Sequence, residues 1–487
     1  MKSVNSLRVF HQNGGDPNPD GRYVLYWMQI NRRLRFNYAL EYAVAWANKL
    51  GLPLVIYEAL GVQNRWGSDR FYSFMLDGVM ENAAECADRG FTYFPYLEDR
   101  PGASKGLVDA LSADAAIVIS DEYPVYIIAA LNRYMRAKSR VPFITVDSNG
   151  IIPLGVTDKA PYSAYVFRRV MQRYFVECVT HPPKEDPLSD LANRSNPLTG
   201  WTGFDRWPSG ERHFAESGRF IASLPIDHRV GVLGIRGTRA EGLRVMQGFL
   251  DRKLSVYGGE RNHPDRDAAS GLSPWLHFGK VSEYEVAMAA LARQPHGWDV
   301  ADLVPNAGRR EGFFGGDPSI ESFMDELVTW REVGFHFCHH TPNYDAYESL
   351  PDWARATLDH HSADPRPVLY SYEQLEQSQT HDRVWNAAQR QLREEGIIHN
   401  YLRMLWGKKI LEWSPDPRTA LDWMIELNNT WAIDGRDPNS YSGIFWCLGR
   451  FDRPWAPERP IFGQIRYMST DSTLKKLKLT TYLNRYA

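Results

Sequence analysis

Short apolar runs alternate with amphipathic stretches over residues 1–180. The runs are RYVLYWMQ (22–29), LPLVIYEAL (52–60), FTYFPYL (91–97), AAIVIS (115–120) and PFITVDS (142–148). Runs of this length predict buried strands, because a strand covered on both faces needs no polar side. Between the first two, NYALEYAVAWANKLG (37–51) repeats its apolar residues at helical spacing and stops on Gly51, a residue suited to end a helix. Strands alternating with helices predict a Rossmann-like α/β domain, a parallel sheet covered on both faces. No G-x-G-x-x-G opens any of these helices, so the usual dinucleotide fingerprint is missing.

Residues 181–215 are rich in Pro, Gly, Ser and Asp and read as a linker. Beyond them the period changes to that of helices. RAEGLRVMQGFLDRKLSVY, SIESFMDELVTWREVGFHF, THDRVWNAAQRQLREEG, NYLRMLWGKKILEW and PRTALDWMIELNN all show it. The pattern therefore predicts an amino-terminal α/β domain (1–180) and a larger all-α domain (216–487).

Composition narrows the class. An apolar share of 43% and a charged share of 24% suit a globular protein. No run is long enough for a bilayer crossing, and the amino terminus lacks the apolar core of a signal peptide. The four cysteines are widely spread without a CxxC pair, which fits a reducing cytoplasm. A net charge of −3 argues against a surface coated with nucleic-acid-binding charge, although a local basic groove stays compatible with it. Tryptophan is the anomaly: 16 in all, 11 of them from Trp275 onward. Such enrichment predicts an aromatic-lined interior or a face that stacks on planar ligands.

Several stretches could carry chemistry. In YLRMLWGKKILEW (401–413), Trp406 and Trp413 lie seven residues apart on one helical face, as a core stripe or as a row of redox-active rings. Lys408 and Lys409 between them are expected on the opposite, solvated face. Ser270, Gly271, Leu272 and Ser273 precede Pro274 and a helical run, an N-cap pattern that can also present N–H groups to an anion. In AIDGRDPNSYSGIFW (432–446), Asp434 and Asp437 flank Gly435 and Arg436, close after Asn428 and Asn429; they form a turn or a heterocycle-binding edge. Glu332 sits inside the apolar ELVTWREVGFHFCHH (326–340), where a carboxylate is costly unless paired, as to Arg331, or kept for function. His336, Cys338, His339 and His340 match no standard zinc spacing, and no metal is expected. Near the end, Arg453, Arg459 and Arg466 interleave with Trp455, Phe462 and Tyr467, a pattern able to hold phosphates and stack bases.

Taken in order, SGLSPWLHFGKVS (270–282), THDRVWNAAQ (380–389), RMLWGKKILEW (403–413), DGRDPNSY (434–441) and ERPIFGQIRYM (458–468) resemble the motifs of the class II cyclobutane pyrimidine dimer photolyases, within the photolyase–cryptochrome superfamily. The resemblance runs from residue 23 to 468. It implies a U-shaped FAD in the helical domain, with Tyr257 and Ser270, Gly271, Leu272 and Ser273 on its diphosphate side. Arg403, Asp434, Gly435 and Asp437 would lie near the flavin, and Asn428 by its N5. A tryptophan chain would photoreduce the flavin, with Trp406 nearest and Trp385 and Trp413 further out. Arg261, Asn262, Glu332, Met404 and Trp446 would form the lesion pocket, with Glu332 as the hydrogen-bonding carboxylate. Arg453, Trp455 and Arg466 would fill the hole in a duplex whose dimer is flipped out, as photolyases do.

The resemblance implies light-dependent repair of cyclobutane dimers by a cytoplasmic monomer with no membrane contact. A second, deazaflavin-type antenna chromophore is compatible with the amino-terminal domain, though no motif names its ligands. Two other functions stay open: a cryptochrome-like flavin photoreceptor and a related photoenzyme with altered substrate. They stay open because the chain departs from the family around the pocket. Asn429 stands for Asp, Leu405 for Tyr, Asn400 for Gly, Trp330 for the first Arg of Arg-Arg-Glu, and His336 for Asn.

Overall fold

Each of the five apolar runs forms a strand, and a sixth strand precedes them in the computed structural model, which describes residues 4–486. The strands are β1 Val9–His11, β2 Tyr23–Met28, β3 Leu54–Leu60, β4 Thr92–Leu97, β5 Ala115–Asp121 and β6 Phe143–Val146, in the order β1-β6-β5-β2-β3-β4. β2 to β6 are parallel. β1 is an antiparallel edge against β6, with Phe10 opposite Thr145. Three residues are too few to show a period, so β1 left no trace in the hydrophobic pattern.

The connecting helices are α1 Tyr38–Leu50, α2 Asp69–Arg89, α3 Leu107–Ala113 and α4 Tyr126–Lys138. Asn37 caps α1 by accepting from the Ala39 and Leu40 N–H groups, and Gly51 ends it at φ 68°. Side chains alternate across the sheet into two apolar layers. Val24, Tyr26, Ile56 and Ile119 pack with α1 on one face; Tyr23, Leu25, Val55, Val118 and Phe143 pack on the other. Leu188 and Leu191 join the first layer, and Leu198, Trp201 and Trp207 join the second, although their surroundings are rich in Pro and Ser.

Charge is buried at the carboxyl ends of these strands, and it is paired. One Asp121 oxygen accepts the N–H groups of Gln29, Ile30 and Asn31 at 2.8, 2.9 and 3.1 Å, while the other accepts the Tyr26 hydroxyl at 2.9 Å. Glu58 accepts from Arg32 at 2.7 Å, Tyr93 at 2.6 Å and Asn82 at 3.0 Å. Burial pushes its carboxyl up, but Arg32, Lys280 and these hydrogen bonds outweigh burial and hold it below its ordinary value. Lys280 is buried beside it, pushed down to about 8 by burial, with no hydrogen-bond partner on its Nζ. Its head lies where a side chain on Gly78 would go, since a Cβ there would sit 1.9 Å from Nζ.

The chain forms two compact units. One takes the chain up to Val156 with Phe175–Gln247 and Leu272–Ala289; the other takes Thr157–Tyr174, Gly248–Gly271 and the chain from Ala290. The second unit is helical, with α5 Pro318–Met324, α6 Arg331–His339, α7 Arg383–Glu395, α8 Asn400–Trp413, α9 Pro417–Trp431, α10 Pro438–Cys447 and α11 Thr480–Arg485 among its helices. A π-helical turn, Asp325–Trp330, joins α5 to α6. α6 and α10 meet closely at Gly334, where a Cβ would lie 2.8 Å from the Ser442 hydroxyl and 2.9 Å from the Pro438 carbonyl. Among the described residues, no helix is long and apolar enough to cross a membrane.

Candidate functional site

α8 is buried on more than one side. Trp406 donates its indole N–H to Gln389 Oε1 at 2.8 Å, and Trp385 donates to the Trp406 carbonyl at 3.1 Å. The Trp385 and Trp413 rings follow, edge to face, with centroids 5.6 Å apart. The three tryptophans thus make one contact path, with Trp385 of α7 between the two of α8. At its outer end, Trp413 meets Tyr370 and His381, each with ring centroids 5.4 Å away. The Tyr370 hydroxyl accepts the His381 backbone N–H at 2.9 Å and lies 2.6 Å from the His381 Nδ1. Sequence reading missed this pair: Tyr370 lies outside the quoted motifs, and His381, though inside THDRVWNAAQ, carried no signal of its own.

The lysines of α8 correct the expected solvated face. Lys408 is 1% exposed and donates to the Cys447 carbonyl, and burial pushes its ammonium down to about 8. Lys409 is buried too, paired with Glu412 at 2.7 Å and set 5.4 Å from the Trp413 ring centre. A cation at the carboxyl end of α10 offsets the dipole there, which gives Lys408 a reason to be inside.

Around the start of α10 lies a polar cluster. Arg403 donates to Asn428 Oδ1 at 2.9 Å, and Asn428 donates to the Ser440 hydroxyl at 2.6 Å and to Asn429 Oδ1 at 3.2 Å. Asn429 donates to the Tyr441 hydroxyl at 3.1 Å and accepts the Arg436 N–H at 2.9 Å, while the Arg436 guanidinium bonds the Asn429 carbonyl. The Asp-to-Asn departure is therefore absorbed: the amide makes bonds on both sides. Asp437 caps α10 through the Ser440 N–H at 3.0 Å. Gly435 is packed so closely that a Cβ would lie 2.9 Å from the Asn428 carbonyl. Asp434 keeps a buried Oδ1 without a protein partner.

The residues expected at the lesion divide. Arg261 pairs with Glu326 at 2.6 Å, and its guanidinium lies 5.7 Å from the Tyr257 ring centre. Burial pushes the Glu326 carboxyl above its ordinary value, with Arg261 opposing. Trp446 of α10 is stacked on Trp330, centroids 4.6 Å apart and planes 15° from parallel. Met404 Sδ lies 4.0 Å from Cys447 Sγ. The carboxylate paired with Arg261 is Glu326, and Glu332 is 1% exposed on α6. The signal for Glu326 was present in the same word, but the π turn shifts the helical phase and hides it from a 3.6-residue period.

Other expected residues stand apart. Tyr257 is buried in edge-to-face contact with Phe249 and Phe323, and burial pushes its phenol well up. Asn262 is half-buried in the loop after Arg261. Ser270 and Gly271 belong to the helical unit, whereas Leu272 and Ser273 belong to the sheet unit. Arg453 and Arg466 lie 5.5 and 5.2 Å from the ring centre of Trp455, itself 37% exposed and tied by its indole to Asp452 at 3.0 Å. Of the departures, Leu405 is buried, Asn400 is exposed at the first position of α8, and His336 is buried with Thr157 at 3.0 Å. Among the described residues no cluster of His, Cys, Asp and Glu could hold a metal ion, and all four cysteines are free.

No protein-family model matches the chain. Individual proteins match over nearly all of it. The deoxyribodipyrimidine photo-lyase of Methanothermobacter thermautotrophicus is 33% identical, covering 99% of this chain and 98% of that one. The same-named protein of Potorous tridactylus is 35% identical over 94% of this chain and 80% of its own. Among solved structures, a class III photolyase from Agrobacterium tumefaciens aligns with a TM-score of 0.64 at 17% identity, covering 96% of this chain and 86% of its own. An archaeal photolyase from Sulfolobus tokodaii, solved with two FAD molecules, aligns at 0.58 and 16% identity, covering 90% and 85%. With its ordered motifs, its sheet and helical units and full-length identity at this level, the chain belongs to the deoxyribodipyrimidine photo-lyases.

Proposed function

We propose that this protein is a class II type enzyme for the light-driven repair of cyclobutane pyrimidine dimers in DNA. The observation that carries the proposal is identity of 33–35% to photo-lyases over nearly the full chain. FAD is the cofactor this requires, and the polar cluster of the helical unit fits it. Asp434 offers a buried acceptor oxygen with no protein partner. Arg403 offers guanidinium donors beside Asn428, and Gly435 keeps the backbone close-packed beneath. A heterocycle edge carrying both N–H donors and carbonyl acceptors matches that set. Arg403, Asn428, Asp434, Gly435 and Asp437 would hold the ring, with Tyr257, Ser270 and Gly271 toward the diphosphate. When bound and reduced, FAD supplies the light-driven loan of one electron that opens the two carbon–carbon bonds joining the pyrimidines.

The protein's own work is position and electrostatics. A dimer inside a duplex is out of reach and must be flipped, and its poor stacking lowers that cost. Trp446, braced by Trp330, presents a flat face for the extruded pyrimidines. Arg261 and Glu326 present a cation and a carboxyl to the polar edges of the bases, where negative charge develops. Asn262 and Met404 line the same pocket, and Arg453, Trp455 and Arg466 fill the gap left in the duplex. Trp413, Trp385 and Trp406 form a path for electrons inward. At its outer end, the Tyr370 hydroxyl can pass its proton to His381 as the phenol gives up an electron.

In the sheet unit, Gln29 Oε1 and Asn31 Nδ2 are buried without partners beyond β2. Chain order reverses there, between β2 and β5. Open α/β sheets bind ligands at such reversals, which makes this the place for a deazaflavin-type antenna; an absorption band of the native protein beyond those of flavin checks it. The test of repair is direct. Reduced and illuminated, the protein restores monomers in an irradiated thymine oligonucleotide. Flavin retained with no loss of dimer favours the photoreceptor alternative, and a protein without flavin sinks both.

A further inference from the structure

The segment after Val256 carries Arg261 and Asn262 on two short turns. Arg261 ends a single helical turn, Tyr257–Glu260, and a three-residue turn, Pro264–Arg266, follows and is left through Asp267 at φ 46°. It is held from outside. On one side Arg261 is paired with Glu326. On the other, Asp265 accepts the backbone N–H groups of Thr481 and Tyr482 at 3.1 and 2.7 Å, capping the last helix, α11, from a distant part of the chain. The Tyr482 hydroxyl donates to Gln391 Oε1 at 2.9 Å, and that same oxygen accepts the His399 N–H at 3.0 Å. The His399 side chain in turn reaches the Arg261 backbone. Arg390 adds a bond to the Tyr486 carbonyl at 2.8 Å. The contacts form a closed circuit: Asp265, α11, Gln391, His399, Arg261.

We propose that α11 is a positioning element of the lesion pocket, acting through Asp265 and Tyr482 to fix the Arg261–Asn262 loop before DNA arrives. This rests on Arg261 and Asn262 being lesion-binding residues. Isolated turns of three or four residues do not hold their shape alone, and ordering them on binding would weaken affinity. The circuit meets that cost during folding. α11 never touches substrate in this scheme; its effect is on how often the loop is already in place.

The test uses the full chain loaded with flavin, an oligonucleotide duplex with one thymine dimer, and the same duplex undamaged. Asp265→Ala raises the Kd for the dimer duplex about tenfold and Tyr482→Phe about threefold, the scale of ordering one or two side chains on binding. Repair per photon absorbed by the saturated complex stays at the parent value, and so does the Kd for undamaged duplex. Asp265→Asn, which keeps one acceptor oxygen, recovers part of the loss. The double variant binds no worse than Asp265→Ala, because both substitutions open the same circuit. Unchanged dimer affinity in both single variants overturns the proposal. So does parallel weakening of both duplexes together with lost flavin or a lower Tm, which would mark a merely structural role. A parent protein that does not prefer the dimer duplex overturns the repair function instead, and that result is read before any variant is made.

Discussion

Two carboxylates, Asp121 of the sheet unit and Asp434 of the helical unit, are treated oppositely. Asp121 at the end of β5 has every acceptor taken, by three backbone N–H groups and a phenol. Asp434 in the helical unit is left with a buried oxygen that nothing in the protein fills. A saturated buried carboxylate closes a loop and is finished at folding. An unsaturated one is a cost carried until something else binds. The difference marks where structure ends and ligand chemistry begins.

The sharpest way to break this comparison is to remove each group. Asp121→Ala should destabilise the protein by roughly 3–5 kcal/mol in urea unfolding, since it strands several buried donors; flavin bound per folded molecule should not change. Asp434→Ala should change flavin-free stability by less than about 1 kcal/mol yet sharply reduce flavin absorbance in the purified protein. Retention of flavin by that variant would show that the open oxygen has another purpose.

A second pair sets Glu326 against Glu332. Loss of a hydrogen bond to a charged group costs about 1.5–3 kcal/mol, so Glu326→Gln should lower repair of bound dimer by roughly ten- to a hundredfold. Glu332→Gln, at the carboxylate the resemblance assigns to the dimer, should lower the same rate by a comparable factor, and the ratio of the two losses ranks the carboxylates. Next in size, Trp406→Phe should slow photoreduction about tenfold by breaking the path while sparing repair by chemically reduced protein. Transient absorption separates the two steps.

A pH-dependent effect concerns Lys280, held at about 8 by burial against its ordinary 10.5. Between those two values the unfolded chain binds more protons, so its contribution to stability grows as pH rises through that window and levels off above it. Lys280→Met should flatten the slope, as followed by urea midpoints from pH 7.5 to 10.5.

How much was legible depended on whether local pattern and packing agreed. β2 to β6 and α8 were readable because their apolar runs match what the folded chain buries. β1 was too short to show a period. Lys408 misled because charge is usually a surface signal; only the carbonyl of Cys447 explains it. Trp201 and Trp207 lie in a stretch whose Pro and Ser content says loop, yet both enter the core. The resemblance, and not a quoted motif, assigned Arg261 and Trp446 to the pocket, while Trp330 looked like a departure. It is stacked on Trp446.

The π turn at Asp325–Trp330 has one more consequence. Such a turn holds one residue more than α geometry allows, and Thr329 within it is fully buried with its hydroxyl unpartnered. One extra residue is accommodated there in the middle of a helix. Deleting Thr329 would leave five residues where the π turn holds six, and α5 and α6 could then run on in regular α geometry. At this point the local geometry depends on the number of residues as much as on their identity, and a one-residue deletion would do what no substitution there could.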